Sequence, residues 1–90
     1  MNKERRVRIE KSVELLEQAK SIIEECKDEE QEYYDNMPES FQQGDKGSTA
    51  ESNVSELEAG EYAVEGALDS LSECIDKIEE AISSTENGQE

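Results

Sequence analysis

The chain has 90 residues, 32% apolar and 38% charged with no tryptophan, which bounds it to one domain near the border of disorder and leaves helical periodicity to decide whether it folds. Its net charge of −16 opposes contact with nucleic acid or anionic lipid and favours basic protein surfaces. The absence of histidine excludes His-based acid–base, triad and zinc chemistry, and no apolar run is long enough for a membrane span or the core of a secretory signal.

The chain starts against its own overall charge: Lys3, Arg5, Arg6, Arg8 and Lys11 outnumber Glu4 and Glu10. From about residue 4 to 35 a heptad pattern predicts the first helix. With Ile9 at position a, the a row is Ile9, Leu16, Ile23, Glu30 and Met37, and the d row is Ser12, Ala19, Cys26 and Tyr33. Leu15 and Ile22 lie beside this seam at g, so the apolar face is wider than a two-helix contact needs.

Residues 36–47 form the expected hinge. Pro38 disfavours helix at Met37, "PESFQ" suits a single helical turn with Phe41 pinned to the core, and Gly44-Asp45-Lys46-Gly47 supplies turn residues. Met37, Pro38 and Phe41 together are expected to plug the open end of a hairpin. Ser48-Thr49-Ala50-Glu51 has the form of a capping box, which starts the second helix at 48.

The second helix is expected to run to about 84. Its a row is Val54, Glu61, Leu68, Ile75 and Ile82, its d row Leu57, Val64, Leu71 and Ile78, and its g row the small residues Gly60, Ala67, Cys74 and Ala81. Each of Gly60 and Gly66 costs about 1 kcal/mol of helix propensity relative to alanine. Close packing of a neighbouring backbone is the expected reason for Gly60, and Gly66 at the outward f position has none. Residues 85–90 carry no apolar anchor and are expected to fray.

Two long helices and a short connection predict an all-α antiparallel hairpin, coiled-coil-like, with dimerisation into a four-helix bundle as the way to cover the wide face. Facing residue numbers then sum to about 86, which holds Cys26 and Cys74 roughly 20 Å apart, too far for an intrachain disulfide. Free thiols fit a reducing cytoplasm. The same register brings Arg5, Arg6 and Arg8 near Glu79 and Glu80, so ion pairs are the expected use of the basic start. Glu30 and Glu61 would face each other near the hinge, implying a splayed end or basic groups from another chain.

No catalytic constellation is present, and neither a cofactor nor a metal is expected. Asp28, Glu30, Glu32, Asn36 and Glu39 imitate part of a calcium-loop spacing, but Tyr33 stands where the sharp turn requires glycine.

"DEEQEYYDNMPESFQ", residues 28–42, followed by an acidic helix containing "ECIDKIEEAI", resembles a group of small proteins encoded by bacteriophages and other bacterial mobile elements. That group pairs a basic start to the first helix with D-E-E-Q-E, an aromatic, D-N, Leu or Met, P-E-S, Leu or Phe, and Q. The matching residues here run from Asp28 to Glu32, then Tyr34 to Gln42. Gly60, Gly66 and the longer "GDKGSTA" linker depart from the pattern. The resemblance implies a helical-hairpin shape and a location in the cytoplasm of a bacterial host, and brings no activity with it.

The expected function is therefore non-enzymatic: an inhibitor of a host defence nuclease, anti-CRISPR-like or otherwise anti-defence, using nucleic-acid mimicry or blocking of a basic surface. Its candidate partner-binding residues are Glu24, Glu25, Asp28, Glu29, Glu32, Tyr34 and Asp35 on the first helix and Glu58, Glu65, Asp69 and Asp76 on the second, with Glu14, Glu17, Glu79 and Glu80 extending the rows. Tyr34, the aromatic not claimed by the seam, is the first choice for a partner contact. Core and dimer residues are expected to be Leu15, Leu16, Ile22, Ile23, Tyr33, Leu57, Val64, Leu68, Leu71, Ile75 and Ile78. The alternatives are a homodimeric structural or adaptor protein and, less favoured, a nucleic-acid accessory protein using "RRVR".

Overall fold

The computed structural model describes the backbone of residues 1–88 and the side chains of residues 1–84. It places three helices in chain order: α1 (Lys3–Asp35), the single turn α2 (Glu39–Gln42) and α3 (Asp45–Gly88). Asn2 caps α1 by accepting from the Arg5 backbone N–H at 2.9 Å. At the other end the Met37 N–H donates to the Tyr34 carbonyl at 3.1 Å, closing the helix before Pro38. The Gln42 side-chain amide donates to the same carbonyl at 2.9 Å, tying α2 to the end of α1.

The chain then reverses, and α3 packs antiparallel along α1 in a rod whose Cα trace measures 70 × 16 × 13 Å. Two helices cannot enclose a sealed core. Among the described residues only Ala50 and Ile82 are buried hydrophobics, and the seam side chains stay half-exposed.

α3 follows the expected heptad. Val54, Leu57, Val64, Leu68, Leu71, Ile75 and Ile78 are half-buried, and the rows extend back to buried Gly47 and Ala50. The helix begins three residues before Ser48, so the expected capping box does not form. Gly47 is the reason: a Cβ there would collide with the Gln42 backbone, and this close approach lets the Ser48 N–H donate to the Gly44 carbonyl at 3.0 Å and carry the helix back to Asp45. The helix also continues into the tail expected to fray, of which residues 89 and 90 and the side chains from 85 onward lie outside the described residues.

α1 is rotated from its expected setting. The row Ile9, Leu16, Ile23, Glu30 and Met37 faces the seam, but the second row is Arg6, Val13, Lys20, Lys27 and Tyr34. Ser12 and Ala19 sit at the seam edge, whereas Cys26 and Tyr33 are exposed, which corrects the reading of Tyr33 as core. Leu15 and Ile22 are exposed as well, while Leu16 and Ile23 pack. Counting apolar residues favours the Ser12 row. The Lys20 row prevails because its lysines lay their methylene stems along the seam and bring charge to Glu61.

Other expectations at the two ends need correction. Phe41 is no plug: its ring is half-exposed, with the Lys46 ammonium 5.7 Å from its centroid. The hinge end is not splayed, since Gly47 and Ala50 are buried there. Arg6 shares a cleft with Ile9, Ile75, Ile78 and Glu79, but no ion pair joins Arg5, Arg6 or Arg8 to Glu79 or Glu80. Cys26 and Cys74 are both free and exposed.

A Cβ at Gly60 or Gly66 would meet nothing within 4 Å, so close packing does not explain Gly60. Gly66→Ala should raise stability by about 1 kcal/mol, because alanine restores helix propensity into open space, and Gly60→Ala should do the same for the isolated single chain. Gly47→Ala should destabilise through its clash with the Gln42 backbone. Urea unfolding followed by far-UV circular dichroism will order the three variants.

Candidate functional site

Glu61 lies in the α3 seam, where a half-buried carboxylate requires a partner. Lys27, four residues after Ile23 on α1, reaches it: the ammonium donates to Glu61 Oε2 at 2.6 Å, with the two side chains 27% and 15% exposed. That hydrogen bond is the main cause of the lowered pKa of Glu61, and the nearby Lys20 charge adds to it. It is likewise the main cause of the raised pKa of Lys27, whose ammonium also feels Asp28 and Glu58. The basic group that meets Glu61 thus comes from its own chain, and Glu30 lies elsewhere, lining a hollow with Tyr33, Lys46, Ala50 and Asn53.

The setting of α1 sorts the surface into two flanks. Glu24 and Glu58 beside Lys27, Glu51 beside Tyr34, and Glu10 with Glu79 in the Arg6 cleft all mark one side. Heptad spacing carries that side along the rod as Glu10, Glu14, Glu17, Glu24, Asp28 and Asp35 on α1 and Glu51, Glu58, Glu65, Asp69, Asp76 and Glu79 on α3. Among the described residues, Lys3 is the one cation on that side. The opposite side carries Leu15, Ala19, Ile22, Cys26 and Tyr33 of α1 against Gly60, Ala63, Ala67, Cys74 and Ala81 of α3.

Of the partner-binding candidates, Glu24, Asp28, Asp35, Glu58, Glu65, Asp69 and Asp76 come together on the acidic flank. Glu25 and Glu32 point off the back of α1, and Glu29 belongs to the apolar side. Tyr34 is half-buried in the seam, and the Glu51 carboxylate beside its phenol pushes its pKa up, so it is not a loose aromatic. The aromatic on the acidic flank is instead Tyr62, 65% exposed, its hydroxyl 3.5 Å from Glu58 Oε1. Its place one position after Glu61 in the heptad was the available signal. Among the described residues no group of His, Cys, Asp and Glu is arranged to hold a metal ion, and no helix is long and apolar enough to cross a membrane. No family model, curated protein or solved structure matches the chain.

The linkage of the Lys27–Glu61 pair has a definite sign. Glu61 titrates below its ordinary 4.5, so its stabilisation is whole above 4.5 and is lost as pH falls through the lowered folded value. Lys27 titrates above its ordinary 10.5, so its stabilisation is whole below 10.5 and is lost as pH rises through the raised value. Glu61→Gln should lower the urea midpoint relative to the parent by a constant amount between about pH 5 and about pH 10, with the gap closing beyond either end.

Proposed function

We propose that the chain is a non-enzymatic protein-binding module whose acidic flank occupies a basic surface that otherwise holds nucleic acid, and that it inhibits a host defence nuclease. One observation carries this reading: among the described residues, twelve carboxylates, six from each helix, line one side of a long rod. The six from each helix are spread over about 40 Å, one charge per roughly 3.5 Å of axis, close to the one per about 3.4 Å of a single nucleic-acid strand. Tyr62 adds an exposed ring within the rows, suited to stacking on an arginine of the partner. The resemblance of "DEEQEYYDNMPESFQ" to proteins of phages and mobile elements supports a defence nuclease as the target. The adaptor reading rests on the apolar flank, and the two readings use opposite sides of the molecule. A nucleic-acid contact through Arg5, Arg6 and Arg8 has the weakest support, since the rest of the surface is overwhelmingly negative.

Protein added to an RNA-guided nuclease before its target DNA should suppress cleavage, and protein added after DNA is bound should not. Suppression should weaken about tenfold or more between low and physiological salt. Glu58→Lys with Glu65→Lys and Asp69→Lys should abolish it, and Tyr62→Ala should weaken it. Salt-insensitive suppression, or none across guided and restriction nucleases, overturns the reading.

A further inference from the structure

Among the described residues, the large apolar side chains of the apolar flank stay open to solvent. Leu15, Ile22 and Tyr33 are 53%, 59% and 53% exposed, and the apolar residues that α3 sets beside them are small: Ala63, Ala67, Cys74 and Ala81. The chain exposes 6653 Å², whereas a compact monomer of 10.1 kDa exposes about 5,300 Å². The excess of roughly 1,300 Å² exceeds the ~800 Å² that each partner contributes to a standard interface.

The charges on this flank say what covers it. By heptad position Arg8 and Glu29 stand on the same strip of α1 as Leu15 and Ile22, while Glu56 and Lys77 bracket Ala63 and Ser70 on α3. Each strip has a cation near one end and an anion near the other. Ala19 and Ala67 mark the middle of the two helices' strips, at about the same level of the rod in the register that sets Lys27 against Glu61. A half-turn about an axis crossing the helices at these alanines sets Arg8 against Glu29 of a second copy and Lys77 against Glu56 of that copy. Leu15 then meets Ile22 of the second copy, and Gly60 meets Cys74. The Lys77–Glu73 contact is no obstacle, since at 73% and 68% exposure it is a solvated surface pair. The reverse orientation, with the axis along the helices, would oppose Arg8 to Lys77 and Glu29 to Glu56.

We propose that the apolar flank is the interface of a twofold-symmetric homodimer, a four-helix bundle with α1 antiparallel to α1 and α3 antiparallel to α3 and with the dyad passing at Ala19 and Ala67. Both acidic flanks then face outward on the two sides of the bundle, which keeps like charges as far apart as the shape permits. The small residues of α3 let the α3 pair approach closely, while Leu15 and Ile22 fill the wider gap between the α1 pair.

Light scattering on the full chain should give twice 10.1 kDa at micromolar concentration. Ile22→Glu should return it to monomer with helicity retained, because Ile22 is 59% exposed within one chain, and should speed alkylation of Cys26 and Cys74. Arg8→Glu should weaken the dimer at least tenfold, and adding Glu29→Arg should restore it. In a Cys26→Ser, Cys74→Ser background, Ala67→Cys should form an interchain disulfide under oxidation. A monomeric parent at 100-fold higher concentration (about 100 μM) overturns the proposal, as does a dimer indifferent to Ile22→Glu or an Ala67→Cys chain that does not crosslink. These outcomes do not depend on whether the acidic flank binds a nuclease.

Discussion

Lys27 against Glu61 is the interaction from which the rest of this surface follows. A carboxylate placed in a heptad seam needs a cation, and α1 meets that need by turning until Lys27 lies under Glu61 and Lys20 beside it. The rotation is small, about half a residue of helical arc (~50°). Its effect is large, because a helix has no independent say over which face it exposes once one face is engaged. Val13 and Tyr34 enter the seam; Cys26 and Tyr33 leave it, joining Leu15 and Ile22 outside.

The cost of this arrangement is the absence of a sealed interior. Two helices along a 70 Å rod cover one another on a single stripe, and beyond the tight turn at Gly47 and Ala50 nearly every apolar side chain keeps some contact with water. The free energy of folding therefore comes from many half-covered contacts along the stripe. A chain built this way gains stability from anything that covers its second apolar stripe, and mass action then couples folding to association.

Sorting of charge follows the same geometry. Among the described residues, twelve carboxylates occupy the side on which Glu24, Glu58 and Glu51 surround the seam, and the apolar flank carries four cations and two anions, Arg5, Arg8, Lys46 and Lys77 against Glu29 and Glu56. The proposed interface on the weakly charged side and the proposed recognition surface on the acidic side do not compete for the same residues. The long-range field of the acidic side favours approach of positive charge at low ionic strength, and a contact made there would be polar and salt-sensitive.

The two amphipathic helices, their antiparallel pairing and the position of the turn at Pro38 were legible from the chain alone, because the 3.6-residue period and the conformational limits of proline are local properties. The α3 seam was legible for the same reason, down to Glu61 as its one charged residue. The rotation of α1 was not. Two rows, Ser12-Ala19-Cys26-Tyr33 and Val13-Lys20-Lys27-Tyr34, share the Ile9 stripe, and apolarity by itself ranks the first higher. Only the packed hairpin brings Lys27 within 2.6 Å of Glu61, 34 residues away, and so selects the second. The start of α3 was hidden likewise, since Gly47 reads as a breaker until the Gln42 backbone is seen lying where its Cβ would be. Local sequence determined which segments become helices and where the chain turns; the tertiary structure decided which side of each helix meets the other, because that choice is made by a charge pair distant in sequence.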